Sequence, residues 1–465
     1  MSYDAVVIGA GPAGYVCAIR LGQLGQKVAI VEGRHYGGVC LNVGCIPSKA
    51  LISAAKLVHK AQTSSDMGIT VKGVEVDIKK LVEWKGKIVN QLTSGVKTLL
   101  EKNGVDLVPG VGRVSGPNRV EVTNESGVRV IDTKNIVVAT GSKPIEIPGF
   151  PFSDERVWSS TEALEPTKLP GHLLVIGGGY IGLELGFVYR NLGCEVTVVE
   201  FMDRVLPGMD PELSKEMAKS LKKRKINVLT NAKAKGYEKR GDKCFVQVEV
   251  EGGKVETIEC DVILSSVGRK PNGKGIGLEE LGVEVTDRGF VPVDAQRRTK
   301  VPSIFAIGDI TEQPMLAHKG SAEGLVVAAV IAGDAGAAFD PAAIPLVVFT
   351  DPEIASVGLT EDEARAAGFD PVVGKFPFRA SGRALSLGET DGWTKVVADR
   401  DTDKVLGVHM IGPEVTELIA EATLAIEMGA TCEDIAMTIH AHPTLPETIM
   451  EAAEAVHKMA VHILS

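Results

Sequence analysis

The sequence predicts an α/β fold made of two strand–turn–helix–strand units, followed by a smaller α+β segment. The first observation is a stretch that occurs twice, beginning at Asp4 and again at His172. The second is a change of pattern after residue 345, where short strands such as LVVFT and VLGVHMIG precede amphipathic helices from about Glu414 onward. A chain of 465 residues has room for about three domains of ~150 residues.

The repeated stretch reads DAVVIGAGPAGYVCAIRLGQLGQKVAIVEG in the first copy and HLLVIGGGYIGLELGFVYRNLGCEVTVVEF in the second. Each copy combines an apolar strand, a glycine turn, a helix pattern, a second strand and an acidic residue. The aligned positions are Gly9, Gly11, Gly14 and Glu32 in the first copy and Gly177, Gly179, Gly182 and Glu200 in the second. Two such copies predict two Rossmann-like dinucleotide-binding units.

Each residue type in this pattern has a physical task. The first glycine permits a tight turn, the second lets a pyrophosphate approach the helix N-terminus, and the third lets helix and strand pack closely. The acidic residue accepts hydrogen bonds from a ribose, and Glu200 would repel the 2′-phosphate of NADP. The alternative is a pair of βαβ units with tight turns and no ligand.

Later strands indicate how the units are connected. IVVATGSKP (136–144) closes the first unit, and ILSSVGRKP (263–271) closes the second. VPSIFAIGDI (301–310) is another buried strand, but no third fingerprint precedes it, so we expect it to return to the first unit. The second unit is then inserted in the first. We expect domain limits at 1–145, 146–274, 275–345 and 346–465.

Composition excludes several classes of protein. A chain that is 44% hydrophobic and 24% charged is typical of globular proteins, and a net charge of -10 disfavours a nucleic-acid partner. No apolar run reaches the ~18 residues that a membrane-spanning helix needs. The N-terminus enters a strand pattern at once, without a signal-peptide pattern. We expect a cytoplasmic location, or an organelle matrix if a transit peptide was removed.

Two of the seven cysteines, Cys40 and Cys45, lie close together in GGVCLNVGCIPSKA. We interpret this stretch as a loop that precedes a helix, whose N-terminus would stabilise a thiolate. The pair could form a redox disulfide, half of a metal site or part of the core. A zinc site wants four ligands, so a redox disulfide fits better. The other cysteines are single in the sequence: Cys17, Cys194, Cys244, Cys260 and Cys432.

Seven stretches together resemble the pyridine nucleotide–disulfide oxidoreductases over essentially the whole chain: GAGPAG, GGVCLNVGCIPSK, ATG, GRKPN, IFAIGD, MLAHKG and HAHPTLPE. The resemblance implies FAD in the first unit, NAD in the second, and a homodimer built through a C-terminal dimerisation domain. Within the family, the chain is most similar to enzymes that oxidise dihydrolipoyl groups. The resemblance therefore implies partners that carry dihydrolipoyl groups, namely the lipoyl domains of acyltransferase components or the glycine cleavage carrier protein.

The resemblance also implies which residues line the two cofactors. Those expected along FAD are Gly9, Gly11, Gly14, Glu32, Lys49, Gly112, Thr140, Gly141, Ser142, Asp309, Met315, Leu316, Ala317 and His318. Those expected along NAD are Gly177, Gly179, Tyr180, Ile181, Gly182, Glu184, Glu200, Ala234 and Gly268. No metal is expected.

For catalysis, the resemblance implies that a substrate thiol attacks Cys40, that Cys45 lies nearer the flavin, and that Lys49 lies beside the flavin ring. HAHPTLPE is an ordered loop because of its prolines, and His442 and Glu447 match the family's base and its carboxylate partner. The carboxylate would fix the tautomer of the imidazole and raise its basicity. The resemblance implies that this base serves the cysteine pair of the other subunit. His440 is a rival for the role, and a His-x-His pair could bind a metal.

Two other functions remain open. One is another NAD(P)H-dependent disulfide reductase of the same fold, although Glu200 and HPTLPE disfavour an NADP-dependent glutathione reductase, and KMAVHILS at the C-terminal end holds no extra redox pair. The other is a secondary, non-catalytic role at a surface. The set of Cys, Lys, His and Glu residues favours the enzyme.

Overall fold

The computed structural model describes residues 2–464. The elements up to residue 145 are β1 (Tyr3–Ile8), α1 (Pro12–Gln23), β2 (Val28–Glu32), α2 (Gly38–Val43), α3 (Cys45–Gln62), α4 (Ile78–Lys102), β3 (Asp106–Pro109), β4 (Val111–Gly116), β5 (Arg119–Asn124), β6 (Gly127–Val138) and β7 (Ser142–Pro144). The next are β8 (Val157–Trp158), α5 (Ser160–Ala163), β9 (His172–Ile176), α6 (Tyr180–Asn191), β10 (Glu195–Val199), α7 (Pro211–Lys223), β11 (Asn227–Leu229), β12 (Lys233–Arg240), β13 (Lys243–Glu249), β14 (Val255–Cys260), β15 (Val262–Ser265) and β16 (Arg269–Pro271). The remaining ones are β17 (Ile304–Ala306), α8 (Ala317–Ile331), β18 (Leu346–Val348), β19 (Glu353–Gly358), α9 (Glu361–Ala366), β20 (Pro371–Pro377), α10 (Gly382–Leu387), β21 (Trp393–Asp399), β22 (Val405–Gly412), α11 (Val415–Met428), α12 (Cys432–Met437) and α13 (Glu447–Val456).

The first sheet has the strand order β3-β2-β1-β6-β5-β4, in which β3, β2, β1 and β6 are parallel, whereas β5 and β4 continue the sheet as antiparallel strands. Because β1 and β2 are covered on both faces, their side chains are almost all buried and apolar. Strand β17 pairs in parallel with β6, with Ile304 opposite Ile136. The chain therefore returns to the first sheet after the second unit, and the prediction that the second unit is inserted is confirmed.

The second sheet, β11-β10-β9-β15-β8, is parallel and repeats the order of the first. An antiparallel sheet, β12-β13-β14, accompanies it and places Cys244, Val246 and Val248 in a core shared with β9 and β15. The two chain segments that connect the units also pair with each other, since β7 in the first segment and β16 in the second form a two-stranded antiparallel ribbon. The two dinucleotide units are thus joined by hydrogen-bonded strands.

The last segment is an antiparallel sheet, β18-β19-β22-β21-β20, with α11 and α13 packed on it, as the predicted α+β segment requires. A buried ion pair connects it to the second unit: Lys395 in β21 contacts Asp210, the residue that caps α7. The two side chains are 1% and 3% exposed.

We propose the limits 1–145, 146–274, 275–345 and 346–465 for the four chain segments. Their support is that β8 to β15 build the second sheet, β17 rejoins the first, and β18 opens the third. Met1 and Ser465, at the two ends of these limits, lie outside the described residues.

One helical stretch, 38–62, is long and apolar enough by length and composition to cross a membrane, with a mean hydropathy of 1.3. This is weak evidence, because core helices pass the same test. The stretch consists of α2 and α3, which meet at Gly44, where the backbone leaves the helical region with φ -145° and ψ -116°. Leu51 and Ala55 in α3 belong to the core against α6.

Candidate active site

The cysteine pair lies where two helices meet. Cys40 is in α2, and Cys45 is the first residue of α3. The interpretation of this stretch as a loop was therefore wrong: Gly44 divides a short helix from a long one, and the small residues allow that turn. The expectation that the pair adjoins a helix start holds for Cys45. Both side chains are free thiols in this structure.

The two thiols differ in acidity. The Cys40 thiol donates a hydrogen bond to Cys45, and this bond, aided by the Lys49 ammonium, lowers the pKa of Cys45 to about 7 against the opposing effect of burial. The same bond, together with burial, raises the pKa of Cys40. In the reduced pair the negative charge therefore resides on Cys45, the sulfur at the helix N-terminus, where the free N–H groups favour an anion.

Lys49 lies one helical turn after Cys45 and connects three parts of the chain. Its Nζ is 2.9 Å from Oε2 of Glu184 in α6 and 4.3 Å from the centre of the Phe349 ring. The other oxygen of Glu184 accepts a hydrogen bond of 2.9 Å from the backbone N–H of Phe349. The sequence assigned Glu184 to the NAD-lining run and gave no sign of this ion pair, because 135 residues separate its partners.

The first fingerprint has an open cradle. Gly9 adopts φ 103°, and a Cβ on Gly14 would lie 1.9 Å from the carbonyl oxygen of Gly9, so the third glycine is required by packing. At Gly11, by contrast, an added Cβ would meet nothing within 4 Å. Gly11 caps α1 without a side-chain acceptor, which leaves room and N–H donors for an anion. The Glu32 carboxylate accepts hydrogen bonds from the N–H groups of Ala10 at 2.8 Å and Arg34 at 2.7 Å.

The second fingerprint repeats this geometry. A Cβ on Gly182 would lie 2.2 Å from the carbonyl oxygen of Gly177, and one on Gly179 would meet nothing within 4 Å. The N-terminus of α6 likewise lacks a side-chain cap. The buried Glu200 carboxylate accepts from the N–H groups of Gly178 at 2.6 Å and Met202 at 2.7 Å. Both cradles therefore fit a dinucleotide diphosphate, with a carboxylate held at the end of the second strand for the ribose.

Several predicted FAD residues meet at the ribbon between the units. Ser142 donates a hydrogen bond to Asp309, which follows β17, and accepts one of 2.7 Å from Nε of Arg269. Thr140 and Gly141 bond to Asn272, and the carbonyl oxygen of Gly268 accepts from Ile145. Five residues that were predicted to line the cofactors therefore lie in one region, although they come from both halves of the chain: Thr140, Gly141, Ser142, Gly268 and Asp309.

The run Met315–His318 lies at the start of α8, with Ala317 as its first residue. The His318 ring is 2.9 Å from the carbonyl oxygen of Pro345, and burial lowers the pKa of this histidine. Tyr180 and Ile181 begin α6, where burial raises the pKa of Tyr180 to about 12.

Two predicted residues lie apart from these clusters. Gly112 is buried in β4, where an added Cβ would lie 2.9 Å from Cγ2 of Ile8, so packing accounts for this glycine without a ligand. Ala234 is in β12, beside a bulge. Shortly before it, the backbone N–H groups of Asn231 and Ala232 donate hydrogen bonds to the carbonyl oxygens of Met202 and Glu200. The roles of both along a cofactor stay predictions.

His442 and Glu447 form a pair near the C-terminal end. Nδ1 of His442 is 2.9 Å from Oε1 of Glu447, and the His442 side chain is 79% exposed. Glu447 is the first residue of α13, not part of the preceding loop as the prolines had suggested. Burial raises the pKa of Glu447, but the N–H of Thr444 at 2.6 Å and the His442 ring outweigh it and lower that pKa. The carboxylate is thereby kept ionised.

The rival, His440, has different surroundings. Its Nε2 is 2.7 Å from Glu421, its Nδ1 is 2.8 Å from the carbonyl oxygen of Thr438, and only 5% of its side chain is exposed. Within residues 2–464 no cluster of three or more possible metal ligands occurs, so the His-x-His metal alternative gains no support.

The remaining cysteines are single in the sequence, but the fold brings two of them together. Cys244 in β13 lies directly opposite Cys260 in β14, and both are fully buried. Sequence reasoning missed the pair because the strands, not a short motif, bring the two residues together. A signal was present in the hairpin pattern, since both positions lie at matching distances from the turn.

Comparison with known proteins decides the family. Residues 3–324 match the pyridine nucleotide-disulphide oxidoreductase family, and residues 344–453 match its dimerisation domain. The chain belongs to the pyridine nucleotide-disulphide oxidoreductase family. The predicted resemblance, the fold class and the two cofactors, FAD and NAD, are confirmed, and the dimerisation domain supports the predicted homodimer.

Members of this family resemble the chain over its whole length. A dihydrolipoyl dehydrogenase from Thermus scotoductus is 51% identical, with 100% of this chain and 99% of the relative covered. One from Bacillus subtilis is also 51% identical, covering 99% and 98%. A mitochondrial one from Dictyostelium discoideum is 47% identical, covering 99% and 95%.

Two solved structures have the same fold as this chain. LpdA from Mycobacterium tuberculosis superposes with a TM-score of 0.90 at 27% identity, covering 97% of this chain and 99% of that one. The HOCl-induced flavoprotein disulfide reductase RclA from Escherichia coli gives a TM-score of 0.86 at 27% identity, covering 97% and 99%.

Proposed function

We propose that this chain is a dihydrolipoyl dehydrogenase, which oxidises protein-bound dihydrolipoyl groups to lipoyl groups and reduces NAD. The observation that carries the proposal is a pair of unequal thiols, Cys40 and Cys45, beside the Lys49–Glu184 ion pair that joins the two dinucleotide units. The substrate class is supported by full-length relatives that carry this name at about half identity to the chain.

We assign the first chemical step to the oxidised form of the pair. His442 accepts the proton of one substrate thiol on the ring nitrogen that faces solvent, while Glu447 holds the other ring nitrogen. The substrate sulfur then attacks Cys40, the Cys40–Cys45 bond breaks, and Cys45 leaves as a thiolate that Lys49 and the N-terminus of α3 stabilise. The second substrate thiol closes the lipoyl ring and releases Cys40.

When bound, FAD in the first unit would supply the acceptor for the electron pair of the reduced cysteines, and NAD in the second unit would supply the final hydride acceptor. The chain supplies the positions. Gly11 and Gly179 leave space that would hold the diphosphates, and Glu32 and Glu200 are anchored by backbone N–H groups and would accept hydrogen bonds from the riboses. Because Glu200 is a fixed carboxylate, we expect NAD to bind better than NADP.

The base is proposed to act on the other subunit of a homodimer. Within residues 2–464, His442 has no hydrogen bond to Cys40 or Cys45 of its own chain. Shortly before it in the chain, two large apolar side chains are exposed, Met437 at 75% and Ile439 at 98%. Large exposed apolar side chains next to a catalytic base are expected at an interface with a second copy.

For its macromolecular partners we propose the lipoyl domains of acyltransferase components of 2-oxoacid dehydrogenase complexes, or the lipoylated carrier protein of glycine cleavage. These partners follow from the proposed substrate. We place the protein in the cytoplasm, or in an organelle matrix if a transit peptide was removed; one of its relatives is named as mitochondrial.

A comparison of two substrate pairs tests the function. The purified homodimer is assayed with dihydrolipoamide and NAD, and in parallel with glutathione disulfide and NADPH. We expect turnover with the first pair and little with the second. Turnover of glutathione disulfide at a comparable or higher rate would replace the proposal with a different disulfide reductase of the same family.

A further inference from the structure

The small antiparallel sheet of the second unit holds a second cysteine pair. Cys244 and Cys260 are opposite each other in the register of β13 and β14, and residues so paired point to the same face of a sheet. Opposite Cα atoms in antiparallel strands are about 4.5 to 5.5 Å apart, and a disulfide requires about 4.4 to 6.8 Å. The register of the two strands therefore gives this pair a Cα separation of the kind that a disulfide spans.

The strand ends that carry the pair are held in place. Lys243 and Asp261, the neighbours of the two cysteines, form an ion pair with an N–O distance of 2.8 Å. The Asp261 carboxylate also accepts a hydrogen bond of 2.8 Å from the backbone N–H of His172 in β9. The two cysteines are thus kept opposite each other in the ladder, in the core with Val246 and Val248.

We propose that Cys244 and Cys260 are a redox modification site, which a peroxide converts to a disulfide across β13 and β14. This pair is separate from Cys40 and Cys45, and the inference does not depend on the substrate of the enzyme. The disulfide would close the hairpin formed by residues 244–260 and restrict its opening.

Burial sets the order in which the two pairs react. Desolvation, with a smaller contribution from Cys244, raises the pKa of Cys260 to about 12, and desolvation also raises the pKa of Cys244. Both thiols are therefore protonated near neutral pH, while the pKa of Cys45 is about 7. Since the thiolate is the reactive form, the buried pair stays reduced during turnover and is oxidised more slowly. Strand β14 is at the edge of its sheet, and its local opening gives a small peroxide access.

The reaction balances with hydrogen peroxide as the oxidant. One sulfur attacks a peroxide oxygen, the O–O bond breaks, and a sulfenic acid and one water form. The second thiol attacks this sulfur, the S–S bond forms, and the second water leaves with the remaining proton. Two thiols lose two electrons, and one peroxide becomes two waters.

Tryptic peptides report the bond directly. Cleavage after Lys243, Lys254 and Arg269 places Cys244 in CFVQVEVEGGK and Cys260 in VETIECDVILSSVGR, while Cys40 and Cys45 share the peptide from His35 to Lys49. The folded holoenzyme is treated with hydrogen peroxide, free thiols are blocked with N-ethylmaleimide during denaturation, and the digest is analysed by mass spectrometry without reduction. We expect the two peptides to be joined, two hydrogens lighter than their sum, and to separate with dithiothreitol.

Matched variants complete the test. Cys260→Ala should abolish the joined peptide, and Cys244→Val gives the same test if that variant fails to fold. Cys194→Ala removes another fully buried thiol and should leave the joined peptide unchanged. Recovery of both wild-type peptides as maleimide adducts after peroxide treatment, or joining only when denaturant is present during oxidation, would overturn the proposal.

Discussion

His440 and His442 are two residues apart, yet their rings are in different environments. Both ring nitrogens of His440 contact acceptors, and 5% of its side chain is exposed. One ring nitrogen of His442 contacts the Glu447 carboxylate, and most of the His442 side chain is exposed. A general base must keep a nitrogen within reach of the substrate, so only His442 meets the geometric requirement.

Replacing His442 should therefore separate two activities. His442→Gln should lower dihydrolipoamide oxidation by about a hundred- to ten-thousand-fold, the usual cost of losing a general base. Reduction of an artificial dye by NADH does not use the thiol proton and should be largely retained. Steady-state rates with both electron acceptors measure the difference.

His440→Gln is the matched control. It removes a neighbouring imidazole of the same loop and should leave both activities nearly unchanged. If His440→Gln abolished lipoamide turnover while His442→Gln did not, the base would have been assigned to the wrong histidine.

At the scale of secondary-structure elements, the glycines of each turn divide into two kinds. Gly182 has no room for a Cβ, because the carbonyl oxygen of Gly177 would be 2.2 Å away, whereas Gly179 has open space. Gly182, the third glycine of the turn, serves helix–strand packing, and Gly179, the second, leaves space for a ligand.

Alanine at these two positions should have opposite effects. Gly182→Ala overpacks a buried contact and should lower the free energy of unfolding by at least about 1 to 3 kcal/mol. Gly179→Ala should leave the unfolding transition nearly unchanged but weaken NAD binding, because the methyl group occupies the space next to the helix N-terminus. Urea denaturation and NADH titration measure the two quantities, and equal destabilisation by both variants would contradict this division.

The elements themselves could largely be predicted from the sequence, because fingerprints encode local geometry. The two glycine turns, their carboxylates and the cysteine pair are all determined by residues close together in the chain. Contacts over long separations could not be predicted in this way. The Lys49–Glu184 ion pair has no local sequence pattern, since it depends on how helices of different segments assemble. The opposition of Cys244 and Cys260 depends on the register of the β13–β14 hairpin, which only the hairpin pattern indicated. The placement of Cys40 in a helix was missed because GGVCLNVG is rich in residues that favour turns.

At the scale of the whole molecule, the buried pair of Lys395 and Asp210 connects the second unit to the dimerisation domain. Burial raises the pKa of Asp210, but the hydrogen bond from Lys395 outweighs it and lowers that pKa. A carboxyl group whose pKa is lowered by folding stabilises the protein above its unfolded value of about 3.9, and this contribution is lost as the pH falls through the folded value.

Asp210→Asn should therefore be strongly destabilising at pH 7. It leaves the Lys395 charge buried without its main partner, which typically costs about 3 to 5 kcal/mol, and the deficit should shrink below about pH 4. Asp391→Asn is the matched control, because its ion pair with Lys223 also joins α7 to the C-terminal segment but is more than half exposed. That variant should lower the free energy of unfolding by less than about 1 kcal/mol. Urea denaturation at pH 7 and pH 3.5 tests both, and equal losses for the two variants would contradict the assigned importance of burial.

The ribbon of β7 and β16 determines how the two dinucleotide units can move. Two connecting segments that did not pair with each other would be flexible, and the inserted unit could then rotate in several directions. Because Lys143 and Lys270 face each other in a hydrogen-bonded ladder, the two segments bend together as one strip. Within this strip Arg269 of β16 donates hydrogen bonds to Ser142 of β7, and Ser142 in turn donates one to Asp309 of the first unit. We therefore expect this strip to resist twisting, and the inserted unit to make only small flexing motions that keep the two nucleotide cradles in alignment.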